Sequence, residues 1–101
     1  MKENLEAKLQ VNSVSVGLNP FVEEFLARIV IGAVSSLKGA QNIRNLELYM
    51  QQKDVRIVLN GNDLGLTPFP KEIIANTLIG LISSLKEVAQ IKDVKINIKI
   101  E

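Results

Sequence analysis

Ile31–Lys38 reads IGAVSSLK and Ile79–Lys86 reads IGLISSLK. Six of the eight letters agree, 48 residues apart in a chain of 101. The match widens without a gap to Gly17–Met50 against Gly65–Ile98. Identical pairs are Gly17/Gly65, Leu18/Leu66, Pro20/Pro68, Phe21/Phe69, Glu24/Glu72, Ala27/Ala75, Ile31/Ile79, Gly32/Gly80, Ser35/Ser83, Ser36/Ser84, Leu37/Leu85, Lys38/Lys86 and Ile43/Ile91, which is 13 of 34 positions. Unrelated segments of average composition share only a few. A repeat of this period makes each half one supersecondary unit, and the chain reads as an internal duplication.

Each unit has three parts. Ala7, Leu9 and Val11 alternate with Lys8, Gln10 and Asn12 in the first half. Val55, Ile57 and Leu59 alternate with Arg56, Val58 and Asn60 in the second. A period of two buries one set and reads as a strand. GLNPF or GLTPF follows, with Asn19 or Thr67 as a cap for orphan amides and Pro20 or Pro68 at the first helical position. Glu23, Glu24 and Glu72 in the early turns, with Lys38 and Lys86 in the last, match the helix dipole, and Gly39 suits a left-handed stop. Helices are predicted over roughly 20–38 and 68–88. A second alternating strand closes each unit: Leu46, Leu48 and Met50, then Val94, Ile96, Ile98 and Ile100. Gln51–Asp54 is a polar joint suited to a hairpin.

The order β-α-β-β-α-β, with right-handed crossovers, gives an α+β, ferredoxin-like βαββαβ two-layer sandwich. Two helices would cover one face of a four-stranded antiparallel sheet. The expectation is one domain over 1–101, with pseudo-symmetric halves at about 5–52 and 53–101, and the first strand of each half at the centre. At 100° per residue, Phe21, Phe25, Gly32 and Ser36 share one helical stripe, and Phe69, Ile73, Gly80 and Ser84 share its counterpart. Small residues four apart let helices approach. Gly32, Ser36, Gly80 and Ser84 are therefore expected at the crossing of the two helices. Leucine at both glycines would overpack it by about 1–3 kcal/mol each.

Composition narrows the function classes. Lys plus Arg is 12 and Asp plus Glu is 11, a net charge of +1, without the basic excess of a nucleic-acid or anionic-membrane partner. There is neither Cys nor His, which argues against disulfides, a metal site and the usual near-neutral proton shuttle. The first ten residues lack a signal-like apolar stretch, and no apolar run approaches the ~20 residues of a membrane helix. A cytoplasmic protein without cofactor is expected.

Three places are candidates for function. Ile31 and Ile79 interrupt the polar stripes of the helices and, with Tyr49, form a candidate interface. The loops before the helices offer Gly17 and Asn19, then Asn60, Asn62, Asp63, Gly65 and Thr67, for a small ligand at a helix N-terminus. A turn with positive φ at Gly17 and Gly65 is the plain structural alternative. The open sheet face is the third place. RNA-recognition domains share this topology and stack bases on central-strand aromatics. Tyr49, expected on an edge strand among charges of both signs, fits a solvated or subunit-contact face better. Acylphosphatases share the order too and hold phosphate with an arginine in the first loop; Asn12–Asn19 contains none. The resulting expectation is a non-enzymatic, self-associating interaction or assembly module, a homo-oligomer with no catalytic residues. The alternative is a small-molecule regulatory module similar to the ACT type, with its ligand near the strand–helix loops.

Overall fold

A computed structural model describes residues 4–37, 42–52, 54–85 and 90–101. The elements are β1 (Leu5–Val11), β2 (Val14–Val16), α1 (Pro20–Ser35), β3 (Asn45–Gln51), β4 (Asp54–Leu59), β5 (Asn62–Leu64), α2 (Pro68–Ser83) and β6 (Asp93–Ile100). They build two layers, a six-stranded antiparallel sheet in the order β2-β1-β6-β3-β4-β5 and two helices against one face. The elements of the second half follow those of the first at the spacing of the sequence repeat: β2 and β5, α1 and α2, and the starts of β3 and β6 all lie 48 residues apart.

The sheet differs from the expected four-stranded one in two linked ways. The stretches read as loops before the helices are short strands, β2 and β5, each folded back on the strand before it. Strand order then follows. A strand paired with its own hairpin partner has one free edge, so β1 and β4 take the outer positions. The second strand of each half, β3 or β6, moves to the centre, and β3 pairs with β6 over its whole length. Each half is still a split βαβ unit, since β6 lies between β1 and β3, and β3 between β4 and β6.

The repeat is written into the core. Its buried side chains are Ala7, Leu9, Val11, Leu26, Ala27, Val30, Val34, Leu46, Leu48 and Met50. The others are Val55, Ile57, Leu59, Ile74, Ala75, Leu78, Ile82, Val94, Ile96 and Ile98, the same positions displaced by 48. Every pair stays apolar, and apart from Ala7/Val55 the volumes are close although most of the letters change, as close packing demands. No polar or charged side chain is buried among the described residues.

Helix termini agree with the sequence at their starts and less at their ends. The Asn19 side chain accepts a hydrogen bond from the Val22 amide at 2.8 Å, as a cap should. Thr67 occupies the same position but makes no side-chain cap bond. The helices stop at Ser35 and Ser83, earlier than predicted. The Ser36 hydroxyl donates to the Gly32 carbonyl at 3.0 Å and Ser84 to Gly80 at 3.2 Å, satisfying acceptors of the last turn. Lys38, Gly39 and Lys86 lie outside the described residues. Among the described residues, no helix is long and apolar enough to cross a membrane.

The glycine assignment needs correcting. Gly32 and Gly80 are exposed, and a β-carbon built on either meets nothing within 4 Å. The helices face each other across a narrow apolar slot instead, lined by Ile29, Val30 and Ala33 from α1 and by Ile74, Thr77 and Leu78 from α2, with Leu48 beneath. Gly32, Ser36, Gly80 and Ser84 point away from the sheet, because the stripe that contains them lies opposite the buried Val30 and Leu78. A leucine at either glycine would extend into open space, so the expected overpacking within the chain is absent.

Candidate functional site

Of the loop candidates for a ligand, Asn19 and Asn60 use their side chains within the fold. In the β1–β2 and β4–β5 hairpins both turn residues have positive φ: Asn12 (53°) and Ser13 (68°) in one, Asn60 (51°) and Gly61 (85°) in the other. This is the geometry of a two-residue turn, which Asn and Gly tolerate best. Gly17 and Gly65 have no positive φ; the left-handed positions fall at the asparagines before them. The Asn60 side chain then reaches across the sheet. Its Oδ1 accepts from the amides of Arg44 and Asn45, both at 2.9 Å, and its Nδ2 donates to the Asn42 carbonyl at 2.8 Å. Asn12 does the same 48 residues away: Oδ1 accepts from Lys92 at 2.7 Å and Asp93 at 3.1 Å, and Nδ2 donates to Gln90. Each asparagine clasps the segment that leads into the central strand beside it. Of the neighbouring candidates, Asn62 is exposed and Asp63 forms an exposed ion pair with Arg56 at 3.4 Å.

The expected interface residues are also placed differently. Ile31 and Ile79 are half-buried and packed against the core, on the flank of each helix. The apolar groups that do face solvent lie further round. Phe21 is 73% exposed, Phe25 46%, Phe69 70% and Ile73 47%. They form equivalent pairs on the two helices, and Phe21 and Phe25 stack with ring centroids 5.9 Å apart. The chain has three phenylalanines and buries none of them. Continuing each stripe brings Gly32 and Ser36, or Gly80 and Ser84, so the outer helical surface is apolar at one end and small along the rest. Arg28 is the charge nearest the centre of this surface, tied to Glu24 at 2.9 Å.

On the opposite face of the sheet, Tyr49 occupies a central strand, not the expected edge. It lies opposite Lys95 on β6 and Arg56 on β4. The Lys95 ammonium stands 5.8 Å from the ring centroid. The Tyr49 hydroxyl donates to the carboxylate of Glu47, two residues along the same strand. That bond, with desolvation and the Glu47 charge, raises the phenol's pKa above its ordinary 10.0, opposed in part by Arg56. The neutral phenol is the bonded form. Its stabilising contribution is therefore complete below the unfolded value and disappears as pH rises through the folded one. With one tyrosine and no tryptophan, the ultraviolet titration of the chain is that of Tyr49 alone. We expect its midpoint above 10.0, and Glu47→Gln to bring it down; an unmoved midpoint would show that the carboxylate does not govern it.

Two signals within the sequence could have located these features. Asn60-Gly61 between apolar alternations is a strong hairpin signal. The 48-residue repeat also reaches back before Gly17, where it pairs Asn12 with Asn60. No family model matches this chain, and no curated protein or solved structure matches it either.

Proposed function

We propose that this protein is a non-enzymatic assembly module that associates with a second copy of itself through its helical layer. The observation that carries this reading is the exposure of all three phenylalanines on one surface, two of them at equivalent positions of the two halves. A patch repeated about a pseudo-twofold is suited to a self-complementary contact. Exposed aromatics in the first turn of each helix, beside a stripe of small residues, supply anchors with room for a facing helix.

The molecule is a slab of 35 × 34 × 18 Å, with the helices on one broad face. Pairing through sheet edges draws less support, because the outermost strands β2 and β5 have three residues each, a length that disfavours strand addition.

The halves are read as products of duplication of one ββαβ unit, and the whole as a relative of the split-βαβ sandwiches in which the second strand of each half, not the first, takes the centre of the sheet. The competing reading, an ACT-like regulatory module with a ligand at the strand–helix loops, has less behind it, since Asn12, Asn19 and Asn60 already use their side chains in the fold.

The test uses the intact chain. Sedimentation equilibrium should show a dimer, and selectively labelled phenylalanine should give three ring signals, all on this surface, that shift with protein concentration. A monomer with unmoving ring signals up to about 1 mM, the range of a weak association, overturns the proposal.

A further inference from the structure

We propose a binding site for a compact, multiply charged anion of the phosphate type on the open sheet face, over β1 and β6. It lies on the side of the slab away from the helices and does not depend on the assembly reading. Glu6, Lys8, Gln10, Lys95, Asn97 and Lys99 line a shallow depression of about 270 Å³. The register places the residues. Lys8 lies opposite Asn97, Lys95 opposite Gln10, and Lys99 opposite Glu6. Three lysines thus surround the half-buried Asn97. Lys95 and Lys99 start about 13 Å apart along the strand, within reach of one shared ligand for two long side chains.

Among the described residues none of the three lysines forms an ion pair within 4 Å. The Lys95 ammonium stands 5.8 Å from the Tyr49 ring centroid, and a bound anion would draw it from there toward β1. Glu47, opposite Asn97 from the other side, has its carboxylate bonded along its own strand to Tyr49. The one cation at an equivalent position of the other half, Arg56, is treated differently, since it pairs with Asp63 at 3.4 Å.

Internal symmetry makes the cluster more than ordinary surface charge. The positions equivalent to Lys8, Lys95 and Lys99 are Arg56, Glu47 and Gln51. The same backbone is therefore built once with Lys, Asn and Lys on the outer face of β6 and once with Glu, Tyr and Gln on that of β3, over core partners that stay apolar throughout. The fold does not require these lysines. Ammonium groups bind phosphate as point charges, and the amides of Gln10 and Asn97 can hydrogen-bond its oxygens. Carboxylates bound the depression on both sides, Glu6 within it and Glu47 beyond Asn97. A small anion fits between them, whereas an extended polyanion would have to cross them.

The experiment is titration of the isotope-labelled full chain with inorganic phosphate, against chloride at matched ionic strength. Saturable amide shifts are expected in β1 and β6 at Lys8–Gln10 and Lys95–Lys99. Lys95→Glu, which installs the residue of the other half, should weaken binding by about tenfold while the chain still folds cooperatively. Lys8→Gln should weaken it less. Shifts that chloride reproduces, shifts centred on the helix starts at Asn19 or Thr67, or equal affinity in Lys95→Glu each overturn the site. So does a single-stranded RNA oligomer whose shifts run on across β3 and β4, since that is an extended polyanion surface.

Discussion

Alanine at both Asn12 and Asn60 should lower the melting temperature by about 20 °C or more. Each substitution removes three side-chain hydrogen bonds to backbone groups far away in sequence. Such bonds are worth about 0.5–1.5 kcal/mol net when buried and less at exposed sites, where water replaces them. Each also puts alanine at a φ near +50°, which costs roughly 1–2 kcal/mol. Together these give about 2–3 kcal/mol per site, against a total stability of about 5–15 for a domain of this kind. Two further variants separate the causes. Asn60→Gly keeps the turn and loses the clasp, so it should fall between wild type and Asn60→Ala. Asn60→Asp keeps the acceptor for Arg44 and Asn45 and should be milder than either if the clasp dominates. Urea unfolding of the set would decide; a double alanine variant within a few degrees of wild type would mean that the hairpins hold without their asparagines.

Aspartate at Phe21 and Phe69 should abolish self-association while leaving the fold intact. Both positions are exposed and are the second residue of their helices. In the separated chain the change adds an anion to a helix N-terminus, a gain of about 0.3–1 kcal/mol each, set at position 21 against the lost stacking on Phe25. In the associated state it buries unpaired charge at the patch, and a hundredfold weakening, about 3 kcal/mol, is the expected minimum. The two effects have opposite signs, so one pair of measurements separates them. Sedimentation should report a monomer, and thermal unfolding at low concentration should be equal to or better than wild type. A variant that still dimerises would move the interface off the helices, with the exposed Val14 of β2 as the next place to look.

Much of this architecture could be read without coordinates, and particular residues show why. The alternation from Ala7 to Val11 and its three counterparts is a local property of extended chain, so the four long strands and their buried faces follow directly. Asn19-Pro20 and Thr67-Pro68 mark helix starts through groups within one turn. The misplacements share another feature: each concerns a choice between partners. Gly32 lies on a stripe of small residues, and the stripe is correct, but periodicity gives angles within one helix and not the direction of the neighbouring one. Ile31 looks stranded among polar residues until the sheet beneath its flank is known. Tyr49 was expected at an edge because the hairpin strands beside β1 and β4 went unread.

What the sequence alone determined is the repeat, the element types, both helix starts and the apolar positions that became the core, since each rests on spacing along the chain. What the tertiary structure decided is which strands are central, which way the glycine stripes face, and that Lys8 joins Lys95 and Lys99. These depend on pairings between residues as far apart as Leu5 and Ile100, where hydrogen-bond geometry, with one free edge left to a strand already in a hairpin, selects among arrangements that local periodicity leaves equal.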